Sequence, residues 1–363
     1  MKWNFFSIGH ADFDVRSIDL RPLGGTESSL IYLMKTLAKK GEEVWFFRPN
    51  TENLNIDSIM QRELKNFDEL YSNNPDVIIF VGNLNKIKDF EVKNKKTPFI
   101  LWIHHAANQR DIDQLQYENF CKKISSLVFI SEWQKNGFIK KFRIEKIKKF
   151  TVGYGISFEF QDLFKSFDDF KNFKKKNLGI YTSVPFRGLE VLIESEKFLL
   201  EKDIKIEIFS GMKTYMQSDE PYYEFYKKIE NSNIFINMKP QKKKILSISH
   251  INKSFLFYPC IFAETFCCSV LDALAAGCEV VTTKFGCFNE VYGDHLTFMK
   301  IDNLKKMNDF AKKFALLMDE RMNFKKNNFE TWCKKRFEQI TQIKNVFDWN
   351  KKADTWVNIV KNL

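Results

Sequence analysis

Two acidic side chains form the most specific candidate site in this sequence. Glu264 stands just ahead of an apolar helix that we predict over residues 267–277, and Asp272 follows it eight residues later. Eight residues are about two helical turns, so both carboxylates could face the same ligand. Carboxylate oxygens accept hydrogen bonds, which suits sugar or ribose hydroxyls. The structural alternative is that Glu264 caps the helix and that Asp272 is a solvated helical residue.

Two further segments are typical of phosphate binding. Gly24 and Gly25 precede a helix predicted over 26–40, where the backbone can approach a ligand closely and free N–H groups point toward it. Arg187 and Gly188 follow a predicted strand and a proline turn, at the start of another helix. A guanidinium there would pair with a diphosphate, although a solvated arginine at a helix start is the plain alternative.

Two adjacent histidines follow a strand predicted over 99–103. His104 and His105 therefore stand at the carboxyl end of a parallel strand, where open α/β sheets bind their ligands. An imidazole in this position can bond a sugar hydroxyl or shuttle a proton. The alternative is a structural histidine that bonds to the backbone of its own loop.

The sequence predicts no metal site. Asp12 and Asp14 form a D-x-D pattern, but it lies in the first loop, ahead of Gly24, rather than at a strand end that faces a donor. The chain has seven cysteines, an odd number, and no C-x-x-C pair. This argues against a zinc site or a disulfide framework and indicates a reducing compartment.

Alternating strands and helices would position these residues. The predicted strands cover 3–8, 43–47, 77–81, 99–103 and 127–130, and then 178–182, 204–209, 234–236, 254–258 and 279–282. Strands separated by helical patterns predict parallel βαβ units and an α/β fold. The alternation pauses after Gly155, which predicts two Rossmann-like domains. We place the first domain at 1–160, a linker at 161–177 and the second domain at 178–345.

The formal net charge of +11 suggests an anionic partner: nucleic acid, an anionic membrane surface or a phosphate-bearing substrate. Compositional bias toward lysine is the alternative. Residues 133–150 hold seven basic side chains interleaved with apolar ones: Lys135, Lys140, Lys141, Arg143, Lys146, Lys148 and Lys149. Such a segment is either a solvated basic face or a site of attachment to an anionic leaflet. Without an apparent secretory signal or membrane span, we expect a cytoplasmic location, with peripheral attachment to the inner face of the membrane as the further hypothesis.

The chain resembles the large retaining glycosyltransferase family four, of the GT-B fold. The family pattern is E-x7-E followed by A-x-A-x-G and an apolar strand; here Glu264 matches the first acid, Asp272 replaces the second, and residues 273–277 fit the rest. Gly24 and Gly25 match the family's opening, residues 131–134 its serine turn, 183–189 the opening of its second domain and 349–356 its closing helix. The resemblance implies two domains facing a cleft and a last helix, 346–363, that crosses back to the first domain.

The resemblance also implies roles. It identifies a hexosyltransferase that takes a UDP- or GDP-linked sugar, retains its configuration and needs no metal or other cofactor. Arg187 would neutralise the leaving phosphate, Glu264 would hold sugar hydroxyls, and His104, rather than His105, would lie near the transferred sugar. The donor-binding positions would be Gly24, Gly25, Ser183, Arg187, the amides of Thr265 and Phe266, and Asp272 at the ribose. The first domain would bind a cell-envelope glycan or glycolipid acceptor.

Three residues depart from the family pattern. Asp272 is one methylene shorter than the usual Glu, so a ribose contact would be longer or water-mediated. Val184 stands where the family often has an earlier basic residue, which leaves Arg187 as the cation of that turn unless Lys213 contributes. Tyr154 stands where the family usually has Asn. The alternative functions are a DNA-modifying sugar transferase, a sugar-nucleotide epimerase of the same fold and a non-catalytic carbohydrate-binding relic.

Overall fold

The computed structural model describes residues 1–9, 12–199, 202–299 and 306–363. It contains two units, each built around one sheet. The first unit consists of Met1–Ser17, Gly25–Gly155 and Phe347–Leu363, and the second of Ile18–Gly24 and Ile156–Val346. The sequence prediction had placed the corresponding domains at 1–160 and 178–345.

The first unit holds an eight-stranded sheet in the order β3-β4-β2-β1-β5-β6-β7-β8. Its strands are β1 Lys2–Ile8, β2 Glu43–Arg48, β3 Leu54–Ile56, β4 Ile59–Glu63, β5 Val77–Gly82, β6 Phe99–Ile103, β7 Ser126–Phe129 and β8 Lys148–Thr151. All neighbours pair in parallel except β3 and β4. The central strand β5 is buried along its whole length, as its uninterrupted apolar sequence predicts for a sheet covered on both faces.

The helices between these strands include α2 Gly25–Lys39, α3 Glu118–Cys121 and α4 Glu132–Lys141, whereas α1 Ser17–Leu20 begins at the last residue of the segment 1–17 and continues into the part assigned to the second unit. Much of the core beside them is aromatic. The rings of Phe6 and Phe80 lie 4.8 Å apart between centroids, and those of Phe90 and Phe99 lie 4.5 Å apart. The abundant phenylalanine of this chain therefore fills the sheet's core, where offset and edge contacts between rings add to the burial of apolar area.

The second unit holds a six-stranded parallel sheet in the order β11-β10-β9-β12-β13-β14. Its strands are β9 Leu178–Tyr181, β10 Lys205–Ile208, β11 Phe235–Asn237, β12 Phe255–Tyr258, β13 Glu279–Thr283 and β14 Leu296–Met299. Its helices are α5 Phe167–Phe173, α6 Leu189–Ser195, α7 Tyr223–Glu230, α8 Lys243–Ile251, α9 Cys268–Ala275, α10 Phe288–Val291, α11 Met307–Asn327 and α12 Phe329–Val346. Both units are thus parallel-sheet α/β layers, as predicted.

The segment predicted as a linker, 161–177, is packed into the second unit. Helix α5 begins at Phe167, where Ser166 caps it by accepting from the Asp169 amide at 3.1 Å. Phe170 is fully buried in a cluster with Trp332, Cys333 and Ile340.

The last helix, α13 Trp349–Lys361, packs in the first unit against α2. Trp349 lies 6.1 Å from Tyr32 of α2, between ring centroids, and Trp356 lies 5.2 Å from Trp102 of β6. Seven residues separate the two tryptophans, so they project from one face of the helix and both are buried. The prediction of two α/β domains and of a last helix that returns to the first unit is confirmed.

In the described part of the chain, every helix is too short or too polar to traverse a bilayer. The seven cysteines carry free thiols, and six of them are buried.

Candidate functional site

Arg187 and Glu264 come from the carboxyl ends of two neighbouring strands of the second unit. Strands β9 and β12 pair in parallel, so the loops that follow them emerge at the same edge of the sheet. The loop after β9 contains a 3-10 turn, Pro185–Arg187, and leads into α6. The loop after β12 carries Glu264 and leads into α9.

The two side chains form an ion pair. Arg187 Nη1 donates to Glu264 Oε1 at 2.8 Å, and the glutamate side chain is only 4% exposed. Arg187 Nη2 donates to the Tyr215 hydroxyl at 3.3 Å, and its guanidinium carbon lies 4.9 Å from the centroid of the Phe262 ring. Hydrogen bonds from both Nη atoms and the Phe262 ring against its face thus fix the orientation of the guanidinium.

Burial and charge act in opposite directions on Arg187. Desolvation would lower the pKa of its guanidinium, but the charge of Glu264 and the nearby Tyr215 and Tyr258 outweigh it, and the pKa is raised well above its ordinary value. The side chain therefore stays cationic. Its Nε is buried without a hydrogen-bond partner in the described residues, so one donor of the fork remains uncommitted.

Two glycines allow these loops to approach each other. Gly188 has φ +120°, and a Cβ there would lie 2.1 Å from the Pro259 carbonyl oxygen. Gly286 has φ +66°, and a Cβ there would lie 2.5 Å from the backbone nitrogen and oxygen of Glu264. Only glycine fits either position without displacing the loop that carries Glu264.

A buried tyrosine links three of the elements at this edge. Tyr258, the last residue of β12, lies 2.6 Å through its hydroxyl from Glu264 Oε1 and 3.3 Å from Ser183 Oγ. The structure therefore brings together three predicted site residues, Ser183, Arg187 and Glu264, around a residue that the sequence analysis did not select. Its position at the end of a strand, beside Pro259, was the available signal.

The start of α9 follows Glu264 closely. Thr265 and Phe266 precede a left-handed residue, Cys267 with φ +76°, and the helix proper begins at Cys268. The Cys267 carbonyl accepts from the Tyr292 hydroxyl at 3.0 Å, and Ser269 Oγ donates to the Thr182 carbonyl at the end of β9. These bonds hold the helix N-terminus at the edge of the sheet where Arg187 lies.

Asp272 has different partners from Glu264. Its carboxylate accepts from the Ser157 amide at 3.2 Å, from Ser157 Oγ at 3.0 Å and from Lys243 Nζ at 2.5 Å. Glu264 lies ahead of α9, as predicted, and the expectation that both acids face one ligand stays a prediction. The two carboxylates share no hydrogen-bond partner among the described residues.

Lys243 is a second residue that the sequence analysis missed. It is the first residue of α8 and is buried against Asp272. Desolvation would lower the pKa of its ammonium, but the Asp272 charge outweighs it and raises the pKa, so the ammonium stays charged. Nothing in the sequence was a reason to select Lys243, because lysine is abundant throughout this chain.

Two other residues of interest lie near the Arg187 turn. Lys213 is exposed on the 3-10 turn Met212–Tyr215, which also carries Tyr215, the partner of Arg187. The Val184 carbonyl accepts from the Tyr181 hydroxyl at 3.1 Å and from the Arg187 amide at 3.3 Å, which closes the turn.

In the first unit, His104 is buried directly after β6. Its Nδ1 bonds the Tyr154 hydroxyl, and its ring lies 4.6 Å from that of Trp102. Gln134 fixes the backbone on both sides, since its Nε2 donates to the Ile103 carbonyl at 3.1 Å and to the His105 carbonyl at 2.7 Å. The S-x-x-Q spacing of a capped helix pointed to Gln134, because Ser131 accepts from the Gln134 amide at 3.2 Å.

The remaining predicted residues lie in the segments that follow β1 and β6. His105 lies with Nε2 3.3 Å from Asp111 Oδ2. Gly25 is the first residue of α2, so Gly24 and Gly25 stand at a helix N-terminus as predicted. Asp14 is paired with Arg16 at 2.6 Å, and Asp12 is 80% exposed at 3.5 Å from Arg48.

Comparisons with known proteins identify the fold. No protein-family model matches the chain, and no curated protein matches it. Among solved structures, a glycosyltransferase from Rickettsia africae ESF-5 is 12% identical, with 99% of this chain and 98% of that chain covered and a TM-score of 0.73. Anabaena Alr3699/HepE in complex with UDP and glucose is 13% identical, with 100% of both chains covered and a TM-score of 0.73. A sucrose-phosphate synthase from Thermosynechococcus elongatus is 13% identical, with 100% and 99% covered and a TM-score of 0.73. Similarity that spans both units at such low identity is similarity of fold, and the fold is that of the GT-B glycosyltransferases.

Proposed function

We propose that this chain transfers a sugar from a nucleotide-diphosphate sugar to a cell-envelope glycan or glycolipid, with retention of configuration and without a metal. The observation that carries the proposal is the pairing of Arg187 with Glu264 at the carboxyl ends of β9 and β12. A cation that suits phosphate thereby lies beside a carboxylate that suits sugar hydroxyls, and a nucleotide-sugar contains a phosphate bonded directly to a sugar. The fold neighbours support it, since one is described in complex with UDP-glucose.

In this proposal the second unit binds the donor. Arg187 and the N-terminus of α9, with the amides of Thr265 and Phe266, stabilise the diphosphate. Glu264 lies at the sugar, and Ser183 belongs to the donor site through its bond with Tyr258. Asp272 bonds the ribose through Oδ1, which accepts one bond from Ser157 and keeps a second lone pair, whereas Oδ2 already accepts from Ser157 and Lys243.

The reaction breaks the bond between the sugar's anomeric carbon and the β-phosphate oxygen, and forms a bond from an acceptor hydroxyl oxygen to that carbon. The acceptor's proton passes to the leaving phosphate, so the products are a nucleoside diphosphate and the glycosylated acceptor. Negative charge grows on the leaving phosphate as its bond to the sugar breaks. A fixed guanidinium and a helix N-terminus stabilise that charge, which is the task a metal ion performs in other transferases.

The first unit binds the acceptor in this proposal. His104, held by Tyr154 and by the Gln134 bonds on either side, contacts the transferred sugar, and the backbone at Gly24 and Gly25 contacts the acceptor or the diphosphate. The exposed basic residues of α4 and the segment after it favour an acceptor at an anionic membrane surface.

The test is nucleotide release from a panel of UDP-glucose, UDP-N-acetylglucosamine and GDP-mannose, with and without excess chelator. We expect one donor to be used and its turnover to persist in chelator. Glu264→Ala should reduce turnover by about 100-fold or more, and Arg187→Ala should weaken donor use by about 1.5–3 kcal/mol, the range for a hydrogen bond to a charged group.

Lys228→Ala is the matched control, because it also removes one member of an ion pair, with Glu194 at 2.8 Å, but on the surface of α7. Wild-type turnover in both site variants would contradict the proposal. Conversion of the donor sugar into its epimer without an acceptor would indicate an epimerase, and tight, salt-dependent duplex binding would indicate the DNA-modifying alternative.

A further inference from the structure

The two oxygens of Glu264 have different surroundings. Oε1 accepts from Arg187 Nη1 at 2.8 Å and lies 2.6 Å from the Tyr258 hydroxyl. Within the described part of the chain, no hydrogen bond reaches Oε2. A carboxylate oxygen offers about two lone-pair positions, so Oε1 is saturated by the protein and Oε2 remains for a ligand.

The direction of the tyrosine's proton follows from its chemistry. Burial, then the nearby Cys260 and Glu264, raise the pKa of Tyr258 well above its ordinary value, so its hydroxyl stays protonated. A phenol has one proton, and the carboxylate can only accept. Tyr258 therefore donates to Glu264, and Ser183, 3.3 Å away, donates to the Tyr258 oxygen.

The tyrosine ring is itself held rigidly. Tyr258 is fully buried, with its ring 5.8 Å from that of Tyr181 and 6.1 Å from that of Phe288, between centroids. Its backbone pairs with Thr282 of β13, and β12 itself lies between β9 and β13. A rigid donor at the end of a central strand is well placed to fix the rotamer of a loop carboxylate.

We propose that Tyr258 is a positioning residue of the donor site, which with Arg187 fixes Oε1 of Glu264 and so presents Oε2 to a hydroxyl of the transferred sugar. This inference rests on the proposed function and assigns a different role to each of the two oxygens of Glu264. The consequence is specific: removing the Tyr258 hydroxyl should weaken recognition of the sugar but not of the nucleoside diphosphate. A merely structural role would weaken both.

The experiment compares binding of UDP-glucose with UDP, and of GDP-mannose with GDP, by calorimetry on the full chain, together with turnover of whichever donor the wild type uses. In Tyr258→Phe, we expect the affinity ratio of nucleotide sugar to nucleoside diphosphate to fall about tenfold, toward that of Glu264→Ala. Turnover should fall by at least as much. Affinity for the nucleoside diphosphate alone should stay unchanged.

Tyr71→Phe is the control, since it also removes a tyrosine hydroxyl, here a half-buried one that accepts from the Lys93 amide at 3.3 Å in the first unit. If Tyr258→Phe does not fold, Ser183→Ala tests the same chain of bonds with less disturbance, and should lower the ratio in the same direction by about two- to threefold. An unchanged ratio in the folded variant, or an equal loss for UDP and UDP-glucose, would overturn the inference alone. A wild type that distinguishes neither pair would instead overturn the proposed function, and this inference with it.

Discussion

At the scale of single residues, the site depends on a partly buried ion pair, in which the Glu264 side chain is 4% exposed and that of Arg187 is 21% exposed. Removing one partner of such a pair leaves an uncompensated charge away from water, which costs far more than an exposed pair contributes. Tyr215 and Tyr258 each add a hydrogen bond, to Arg187 and Glu264 respectively, which offsets part of the desolvation of the pair. Losing either member of the pair should therefore affect both ligand binding and stability.

Gly188 makes the close approach of the two loops possible, and its replacement should show this. Gly188→Ala should destabilise the chain by about 1–3 kcal/mol from backbone conformation alone, with a further loss because Cβ meets the Pro259 carbonyl oxygen at 2.1 Å. Donor turnover should fall as Arg187 is displaced. Urea unfolding and nucleotide release measure the two effects.

Gly41→Ala is the matched control for this prediction, because Gly41 also has a positive φ, +86°, but a Cβ there meets nothing within 4 Å. The difference between the two variants isolates the contact from the backbone conformation. Equal stability losses in both would show that the loops move apart without cost.

The sequence identified part of the site at this scale. Glu264 and Arg187 were predicted because a carboxylate and a guanidinium at strand ends suit a donor, and Ser183 came with the family pattern. Tyr258 and Lys243 were missed. A tyrosine at the end of an apolar strand cannot be distinguished from a core residue by its type, and one lysine in a lysine-rich chain carries no signal until a buried partner such as Asp272 is known.

At the scale of elements, the regular βαβ units were predictable and the edges were not. Strands β3 and β4 were missed, although they form a hairpin with a two-residue turn at Asp57 and Ser58, both with positive φ. That conformation normally selects Asn-Gly or Asp-Gly, so this turn lacks the usual sequence pattern. Strand β8 was also missed. Its first two residues are lysines, which an edge strand tolerates but which do not fit an apolar strand pattern.

A buried lysine joins elements at the opposite end of the second sheet. Lys174, after α5, donates to the carbonyls of His250 and Lys253 and lies 3.9 Å from Cys278 Sγ. Among the described residues it has no carboxylate partner, so burial lowers its pKa from 10.5 to about 8. The ammonium nevertheless binds the carboxyl end of α8, where a positive charge is favoured by the helix dipole.

The stability of the chain should therefore depend on the protonation of Lys174. Its folded pKa lies below its ordinary value, so between about pH 8 and 10.5 the unfolded chain binds more protons, and the contribution of Lys174 to the free energy of unfolding rises with pH. Relative to Lys174→Met, the wild type should gain on the order of 1–2 kcal/mol between about pH 7.5 and pH 9.5. Urea unfolding at the two pH values measures this gain. Lys175→Met removes an exposed neighbour and should show no such gain. A constant difference between wild type and Lys174→Met would contradict the buried, shifted ammonium.

At the scale of the whole molecule, the two-domain α/β architecture was predictable from apolar patterns that span many residues, such as the unbroken run of β5. The return of the last helix to the first unit was implied by the family resemblance, and the seven-residue spacing of Trp349 and Trp356 indicates its buried face. The positions of small contacts were not predictable in this way. Loops such as those at Gly188 and Gly286 depend on residues from distant parts of the chain, whose proximity only the folded structure supplies.

The net charge of +11 is a property of the whole molecule, and the structure indicates which basic residues should bind an anionic surface. On α4 and the segment after it, Lys140, Arg143 and Lys146 are exposed, and Ile139 is 45% exposed beside them. Three other basic residues of the segment bond backbone carbonyls of the first unit: Lys141, Lys148 and Lys149. An anionic membrane should therefore bind Lys140, Arg143 and Lys146, which make no such bond among the described residues, with Ile139 entering the interface.

Sedimentation with vesicles tests this attachment. Each well-placed cation contributes about 1 kcal/mol near an anionic surface, so changing Lys140, Arg143 and Lys146 to Glu should weaken binding at least about tenfold. Binding by the wild type should rise with anionic lipid content and fall with salt, because the surface potential is screened over about 10 Å at 0.1 M. The control changes Lys326, Lys334 and Lys335 to Glu, which alters the net charge equally through exposed residues of α11 and α12 in the second unit. If the two triple variants lose binding equally, the attraction comes from net charge rather than from this face. Negligible binding of the wild type to anionic vesicles at low salt would exclude the attachment and favour an acceptor free in solution.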